Sequence, residues 1–389
     1  MRTILIVGGG LGGLALAQLL IQECLPSLKV VVFERDAEEN VRDQGYCITV
    51  NEMGINVLKR ILVLNDIFSD ELTMSQNQYK VKLADKNLNI IFDIAAEKWK
   101  IIERATLRRS LLKNIDVRWN KRFVSYKMLD DGIEVYFEDG SSVQGTLLVG
   151  CDGAKSLVRA QLVHNLERED MGVVFVSSTV QSNQTLGKVR QLIENSLVQV
   201  LGEQSHSLFL ISVDNLWFWS LSWANEETGE TSISSSELLN KVRTNFNNPE
   251  LVRLVEPLLS SSERFDTLRL YSSPCLKVNP FPNNSRVTLL GDAAHLMTIQ
   301  RGMGANTAFA DAFDLANVIC LGPTQSSLAD YEEKMFRRGF QAVQDSFNST
   351  RMLRMSGRQA NIRNYIFWFL HYMMAFKNIV LAPFTFFWK

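Results

Sequence analysis

Thr3-Ile4-Leu5-Ile6-Val7-Gly8-Gly9-Gly10-Leu11-Gly12-Gly13-Leu14-Ala15-Leu16-Ala17 is the stretch from which the fold is read. Its first five residues are a continuous apolar, largely β-branched run, the pattern of a strand buried on both faces of a parallel sheet. A glycine turn follows, and then Leu14 to Leu20, rich in helix formers. Lys29-Val30-Val31-Val32-Phe33-Glu34 reads as a second buried strand. Strand, helix and strand in this order predict a βαβ unit with a right-handed crossover. Gly8, Gly10 and Gly13 satisfy G-x-G-x-x-G. The first permits the tight turn, the second lets the backbone approach a pyrophosphate, and the third lets helix and strand pack closely. Gly12 is taken with them as a cofactor contact. The helix N-terminus offers N–H groups and a positive dipole end to the phosphates. Glu34 closes the second strand about 20 residues further on, the place of the acid that accepts from a ribose 2′-OH. A carboxylate there repels a 2′-phosphate, so the site is expected to take FAD or NAD and not NADP. Arg35, beside it, is counted among the cofactor contacts.

Outward from this unit the chain alternates between two kinds of pattern. Gln78 to Ile94 reads as two short strands around Asp85-Lys86-Asn87, and Thr106 to Leu112 as a helix. Lys121 to Val143 alternates apolar and polar residues around Asp130-Asp131-Gly132 and Asp139-Gly140, which predicts a β-meander. Thr146 to Gly150 and Arg286 to Leu290 are again buried strands, and several strand-like runs fill Gly172 to Trp223. Such an order predicts an α/β protein: a discontinuous Rossmann-like nucleotide domain with an inserted mixed sheet domain and C-terminal helices. The expected boundaries are 1–72, 97–170 and 275–325 for the nucleotide domain, 73–96 and 171–274 for the sheet domain, and 326–389 for the helical segment.

Two more strand-to-helix turns carry chemistry. Leu147 to Gly150 leads into Cys151-Asp152-Gly153-Ala154-Lys155-Ser156 and a helix with Arg159; an aspartate there caps N–H groups or binds a hydroxyl. Leu289-Leu290-Gly291-Asp292-Ala293-Ala294-His295 is followed by Arg301-Gly302-Met303-Gly304-Ala305-Asn306, whose N–H groups suit an anion or an electron-rich ring edge. Three such elements in this order resemble the single-component, group A FAD-dependent monooxygenases. These are the aromatic hydroxylases, similar to p-hydroxybenzoate and salicylate hydroxylases and to the tetracycline-modifying monooxygenase. The resemblance covers roughly the first 350 residues. It implies a GR2-type FAD fold, FAD as cofactor, NADPH or NADH as reductant and O2 as co-substrate. It also implies oxygen transfer through a flavin C4a-hydroperoxide.

By the same resemblance Asp292 binds ribityl hydroxyls, and Gly302, Gly304, Ala305 and Asn306 meet the isoalloxazine ring. Asp152 and Arg159 serve the Asp-Gly motif. Arg104, or failing it Arg108, reaches the FAD, an arginine being bidentate and always charged. Val124 lays its backbone against the adenine, and Gly45 and Cys47 match the loop over the flavin. Ile299 stands where the family usually has proline. No catalytic side chain is assigned, because the cofactor carries the chemistry, and His295 is placed in a structural motif.

The substrate is expected to be aromatic or polycyclic, in natural-product tailoring by hydroxylation or epoxidation. The inserted sheet is its expected pocket, with Trp217 and Trp219 as candidate walls. Arg301 is either an anchor for an acidic or phenolate substrate or the partner of a nearby carboxylate. Two rival readings are an FAD-retaining non-redox cyclase or isomerase, motivated by Ile299, and a non-catalytic flavoprotein scaffold.

Composition bounds these readings. The 389 residues carry 41 basic and 42 acidic side chains, which excludes the basic excess of a nucleic-acid binder. Five scattered cysteines and four histidines predict no metal site and reduced thiols in a cytoplasmic setting. The apolar stretch from Tyr365 to Trp388 is broken by His371, Lys377, Asn378 and Pro383, so no clean span is read. It is expected to pack as bent helices on the body of the protein, with peripheral membrane contact as the alternative.

Overall fold

The computed structural model describes residues 2–24, 28–39, 46–68, 79–96, 98–163, 166–181, 196–213, 216–225, 233–262, 265–282, 284 and 286–385. Gly45 lies outside them. The described chain forms two compact units: 1–75, 98–170 and 271–349, and 76–97, 171–270 and 350–389. The segment 326–389 is therefore shared between the units, its long first helix falling mostly in the first.

The first unit is built on a five-stranded parallel sheet. β1 (Arg2–Val7) lies between β2 (Leu28–Phe33) and β11 (Leu147–Gly150), with β17 (Val287–Leu289) and the short β7 (Val117–Arg118) at the edges. Ile4, Leu5 and Ile6 have no solvent exposure, as a strand covered on both faces requires. Helix α1 (Leu11–Cys24) joins β1 to β2. The antiparallel β8 (Phe123–Met128), β9 (Ile133–Phe137) and β10 (Ser142–Gly145) make the meander read from the sequence. A two-stranded ribbon pairs β3 (Cys47–Val50) with β6 (Lys100–Glu103). Around these strands lie α2 (Glu52–Leu58), α3 (Arg104–Leu111), α4 (Leu157–Leu162), α7 (Asp292–His295), α8 (Gly304–Leu321) and α9 (Gln325–Leu353).

The second unit holds a seven-stranded sheet in the order β16-β12-β15-β14-β13-β4-β5. Its strands are β4 (Tyr79–Ala84), β5 (Ile90–Ala96), β12 (Glu169–Gln181), β13 (Ser196–Leu201), β14 (Ser207–Val213), β15 (Leu216–Ala224) and β16 (Asp266–Ser272). Helices α5 (Ser235–Phe246) and α6 (Pro249–Ser261) pack on one face. Both start on side-chain caps, Ser234 in a capping box with Glu237 and Asn248 ahead of Pro249.

Two expectations are corrected. Cys24 and Cys320 are joined as a disulfide, so the thiols are not all free; Cys47, Cys151 and Cys275 are. The tail forms one helix, α10 (Gly357–Thr385), and not a set of bent helices. Phe367 packs against Phe92 of β5, and His371 Nδ1 lies 3.2 Å from the Asp93 carboxylate. Tyr365, Ile366 and Phe369 are about half exposed or more. Phe367 and His371 thus face the sheet while Tyr365, Ile366 and Phe369 face outward. Among the described residues no helix is long and apolar enough to cross a membrane.

Candidate cofactor site

The glycine turn between β1 and α1 has the form a phosphate needs. Gly8 has φ 115°, and a Cβ there would collide with the Cys151 carbonyl. A Cβ on Gly10 would meet nothing within 4 Å, so space opens where a ligand approaches the start of α1. No acidic residue occupies the first turn of α1. Gly12 faces inward: a Cβ would lie 2.8 Å from Leu290 and 3.2 Å from Ala308, so only its backbone N–H remains for a ligand. Gly13 packs over Gly8, the close helix–strand contact expected of it.

Glu34 is 8% exposed and holds the turn itself. Its Oε2 accepts from the Gly9 N–H at 2.7 Å and its Oε1 from the Asp36 N–H at 3.1 Å. Each carboxylate oxygen keeps a further lone pair for a ribose hydroxyl. Arg35 is exposed in the turn that follows β2. Arg108 donates from Nε to the Gly9 carbonyl at 3.0 Å and from Nη1 to the Glu39 carbonyl at 2.8 Å, so it braces the glycine turn. Arg104 has a different setting. Its guanidinium lies 5.6 Å from the centre of the Tyr46 ring, and its charge acts on Asp292. Of the two arginines, Arg104 is the one facing the second acidic turn. Val124 sits where the β8–β9 register slips between Phe123 and Ser125, which leaves its backbone out of the ladder.

Around Asp292 the structure gathers charge. Burial pushes its carboxyl up, while His295, Arg104 and Arg159 pull it down. A Cβ on Gly304, at the start of α8, would lie 3.7 Å from the Asp292 carboxylate. Arg159 is buried and donates to the carbonyls of Asp292, Ala293 and Ala154 at 2.9–3.2 Å, tying the Asp-Gly turn to the Gly-Asp turn. Asp152 is committed to its own turn. It accepts from the Ser156 hydroxyl and from the Leu157 and Val158 N–H groups, so it caps α4.

His295 is fully buried, with Nε2 2.6 Å from Asp311 Oδ2. The same oxygen accepts the Gly291 N–H at 3.0 Å, and Asp311 Oδ1 accepts from Arg338 at 2.8 Å. Burial opposes charge on His295, but Asp311 outweighs it and raises the imidazole pKa. Burial alone would push the Asp311 carboxyl up; His295 and Arg338 hold it below the ordinary carboxylate range. An imidazole so enclosed is not a general base for a substrate. It anchors the turn that presents Asp292, and no sequence signal points to Asp311 as its partner.

The Gly302–Asn306 loop is built on β3. Gly302 has φ 61°, and a Cβ there would strike the Thr49 hydroxyl. The Asn306 amide donates to the carbonyls of Thr49 and Gly302 at 2.9 and 2.8 Å, and its oxygen accepts from the Asn51 N–H at 3.0 Å. Its side chain is thus a clamp, and only the backbone of Gly302, Gly304, Ala305 and Asn306 is left to meet a flavin. Cys47, in the clamped strand, has its thiol pKa raised to about 11 by burial and by Glu103. Arg301 lies 3.9 Å from Asp345, the second of its two expected roles.

Trp217 and Trp219 are corrected. They are 6% and 1% exposed and belong to the core beneath α5 and α6, with Trp219 Nε1 donating to Ser262. Strand alternation puts both on the helix-covered face. The opposite face carries Phe209, Phe218, Ser177 and Ser220, paired across the strands. Among the described residues no group of three or more His, Cys, Asp and Glu side chains gathers as metal ligands would.

Comparison with known proteins gives the family. An FAD-binding domain family model matches residues 1–346. An FAD-dependent monooxygenase, thnD of Trichoderma harzianum, is 27% identical over 380 residues, covering 88% of this chain and 91% of its own. Kynurenine 3-monooxygenase of Dictyostelium discoideum is 25% identical over 334 residues, covering 81% of this chain and 69% of its own. Among solved structures, Klebsiella pneumoniae HpxO complexed with FAD and uric acid superposes with a TM-score of 0.77 at 19% identity, covering 95% of this chain and 92% of its own. The tetracycline destructase Tet(51) gives 0.67 at 19% identity, with 96% and 97% covered. At that identity the two structures speak for the fold alone. The chain belongs to the FAD-binding domain family and stands among FAD-dependent monooxygenases.

Proposed function

We propose that the protein binds FAD across the Gly8–Gly13 turn and the Gly291–Asn306 segment. We further propose that it uses NADPH or NADH and O2 to hydroxylate or epoxidise an aromatic or polycyclic small molecule. The observation that carries the reading is the joint geometry of the two turns. An open, acid-free helix start stands at Gly10, and Asp292, Arg104 and the first turn of α8 lie within reach of one another. In this reading Glu34 takes the ribose, Arg104 the pyrophosphate and Asp292 the ribityl hydroxyls. The backbone of Gly302 to Asn306 receives the ring edge. When bound, the flavin supplies the redox chemistry that passes electrons from the nicotinamide to O2 and one oxygen atom to the substrate. Arg159, Asp311 and His295 hold the turns in place, and Asp152 caps the helix beside them.

The sheet face of Phe209, Phe218, Ser177 and Ser220 is the side we assign to substrate, because flat apolar rings and small hydroxyls suit an oxygenated ring system. Natural-product tailoring is the setting this reading proposes.

The test is to load the purified chain with FAD and follow NADPH or NADH oxidation and O2 uptake with a panel of phenolic and polycyclic compounds. Acceleration by a compound, with one oxygen atom found in it by mass spectrometry, is expected. Conversion of a compound with neither nicotinamide nor O2 consumed would replace this reading by a non-redox cyclase or isomerase.

A further inference from the structure

We propose that Cys24 and Cys320 are a physiological oxidation site whose disulfide staples together the far ends of the two helices that carry the cofactor turns. Helix α1 opens at the Gly8–Gly13 turn and ends on Cys24; α8 opens at Gly304 and ends one residue after Cys320. The two helices pack side by side, Gly12 of α1 lying against Ala308 of α8 so closely that a Cβ would meet it at 3.2 Å. Their N-terminal ends bear the two turns, and their C-terminal ends are joined by the sulfurs. The Cα atoms are 5.7 Å apart, which accommodates the bond without backbone movement. The bond closes a loop of 296 residues, so it strongly restricts the unfolded chain.

The other three thiols are set apart from this chemistry. Burial raises the pKa of the Cys151 thiol well above the ordinary value and that of Cys275 more modestly, and Cys47 is pushed up to about 11. A thiol held in its protonated form reacts poorly with oxidants. Cys320 is partly buried, as Cys47, Cys151 and Cys275 are, and Cys24 is 8% exposed, so what singles out the pair is the 5.7 Å spacing of its Cα atoms. Closure takes two protons and two electrons from the two thiols and replaces two S–H bonds with one S–S bond. Hydrogen peroxide accepts them and leaves as two waters; an oxidised low-molecular-weight thiol accepts them and leaves as two thiols. The effect on flavin retention rests on the FAD reading above; the cross-link does not.

The full-length protein is treated with hydrogen peroxide or with excess dithiothreitol, unfolded, alkylated and digested without reduction. The expected result after peroxide is a peptide pair joined through Cys24 and Cys320, with Cys47, Cys151 and Cys275 alkylated. Apoprotein melting is expected to fall by about 4–8 °C on reduction. Cys24→Ala/Cys320→Ala is expected to melt with the reduced protein and to ignore reductant. In FAD-loaded protein, reduction is expected to speed FAD release by about fivefold, equivalent to about 1 kcal/mol. Recovery of Cys24 and Cys320 as alkylated thiols after peroxide would overturn the proposal. So would a cross-link that leaves both the apoprotein melt and FAD release unchanged. A reductant-sensitive melt in a protein that takes up no FAD would support the staple while removing the flavin reading.

Discussion

Glu332→Gln should make the protein more stable at alkaline pH. Glu332 lies on α9, is 3% exposed, and its carboxyl accepts a hydrogen bond from the Thr288 hydroxyl of β17 at 2.8 Å. Burial pushes its pKa from 4.5 to about 7, with the Thr288 bond pulling the other way. For an acid raised in the folded state, the unfolded chain releases its proton first. Between about pH 4.5 and 7 the unfolded state therefore binds fewer protons than the folded one, and stability falls as pH rises. At about 1.4 kcal/mol per pH unit, the gap between 4.5 and about 7 corresponds to about 3 kcal/mol lost by pH 8. An amide at this position keeps the acceptor for Thr288 and has no proton to lose. Urea unfolding followed by circular dichroism from pH 5 to 8 would measure the effect. The variant should gain up to about 3 kcal/mol over the parent at pH 8 and little or nothing at pH 5. If the two proteins lose stability in parallel across this range, Glu332 is not the group that titrates.

Other substitutions separate the roles assigned above. Asp311→Asn leaves His295 and Arg338 without their buried anion and should cost about 3–5 kcal/mol of stability, read from the unfolding midpoint, together with flavin content. Glu34→Ala removes the acceptor of the Gly9 and Asp36 N–H groups and should weaken FAD binding by about 1.5–3 kcal/mol in a calorimetric titration; unchanged affinity in a folded protein would take Glu34 off the ribose. Trp219→Ala should lower stability by about 3–5 kcal/mol as a core truncation; a change in substrate KM with stability intact would return it to the pocket wall.

The parallel sheet was legible because each of its buried strands is a continuous apolar run bounded by glycine or an acid, as at Ile4 to Gly8 and Leu147 to Asp152. Strand and meander assignments came from period-two patterning and Asp-Gly turns, which are local signals. Helices α5 and α6 are announced only by Ser234 with Glu237 and Asn248 with Pro249, local start signals set among strand patterns that predict a sheet. Trp217 and Trp219 were misplaced for a related reason: alternation shows that they share a face, but only the packing of α5 and α6 shows which face is covered. The second carboxylate of the site, Asp311, is separated in sequence from His295 and becomes visible only when α8 folds back over the turn. The Cys24–Cys320 pair is hidden in the same way, since nothing near either cysteine announces the other. The unbroken α10 shows a further limit. Pro383 lies within its last turns, and aromatic residues follow one another so closely from Tyr365 to Phe369 that no narrow stripe marks the side that meets the sheet.

Gly10→Val tests the central claim most directly. A Cβ at position 10 would meet no atom within 4 Å beyond its chain neighbours, so the apoprotein should fold and melt as the parent does. The same side chain would fill the space through which a pyrophosphate approaches the start of α1. Calorimetric titration of the apoprotein with FAD should then show affinity reduced by about a hundredfold or more, equivalent to about 2.7 kcal/mol, with the melting temperature unchanged. A folded Gly10→Val protein that binds FAD as tightly as the parent would contradict the placement of the cofactor at this turn.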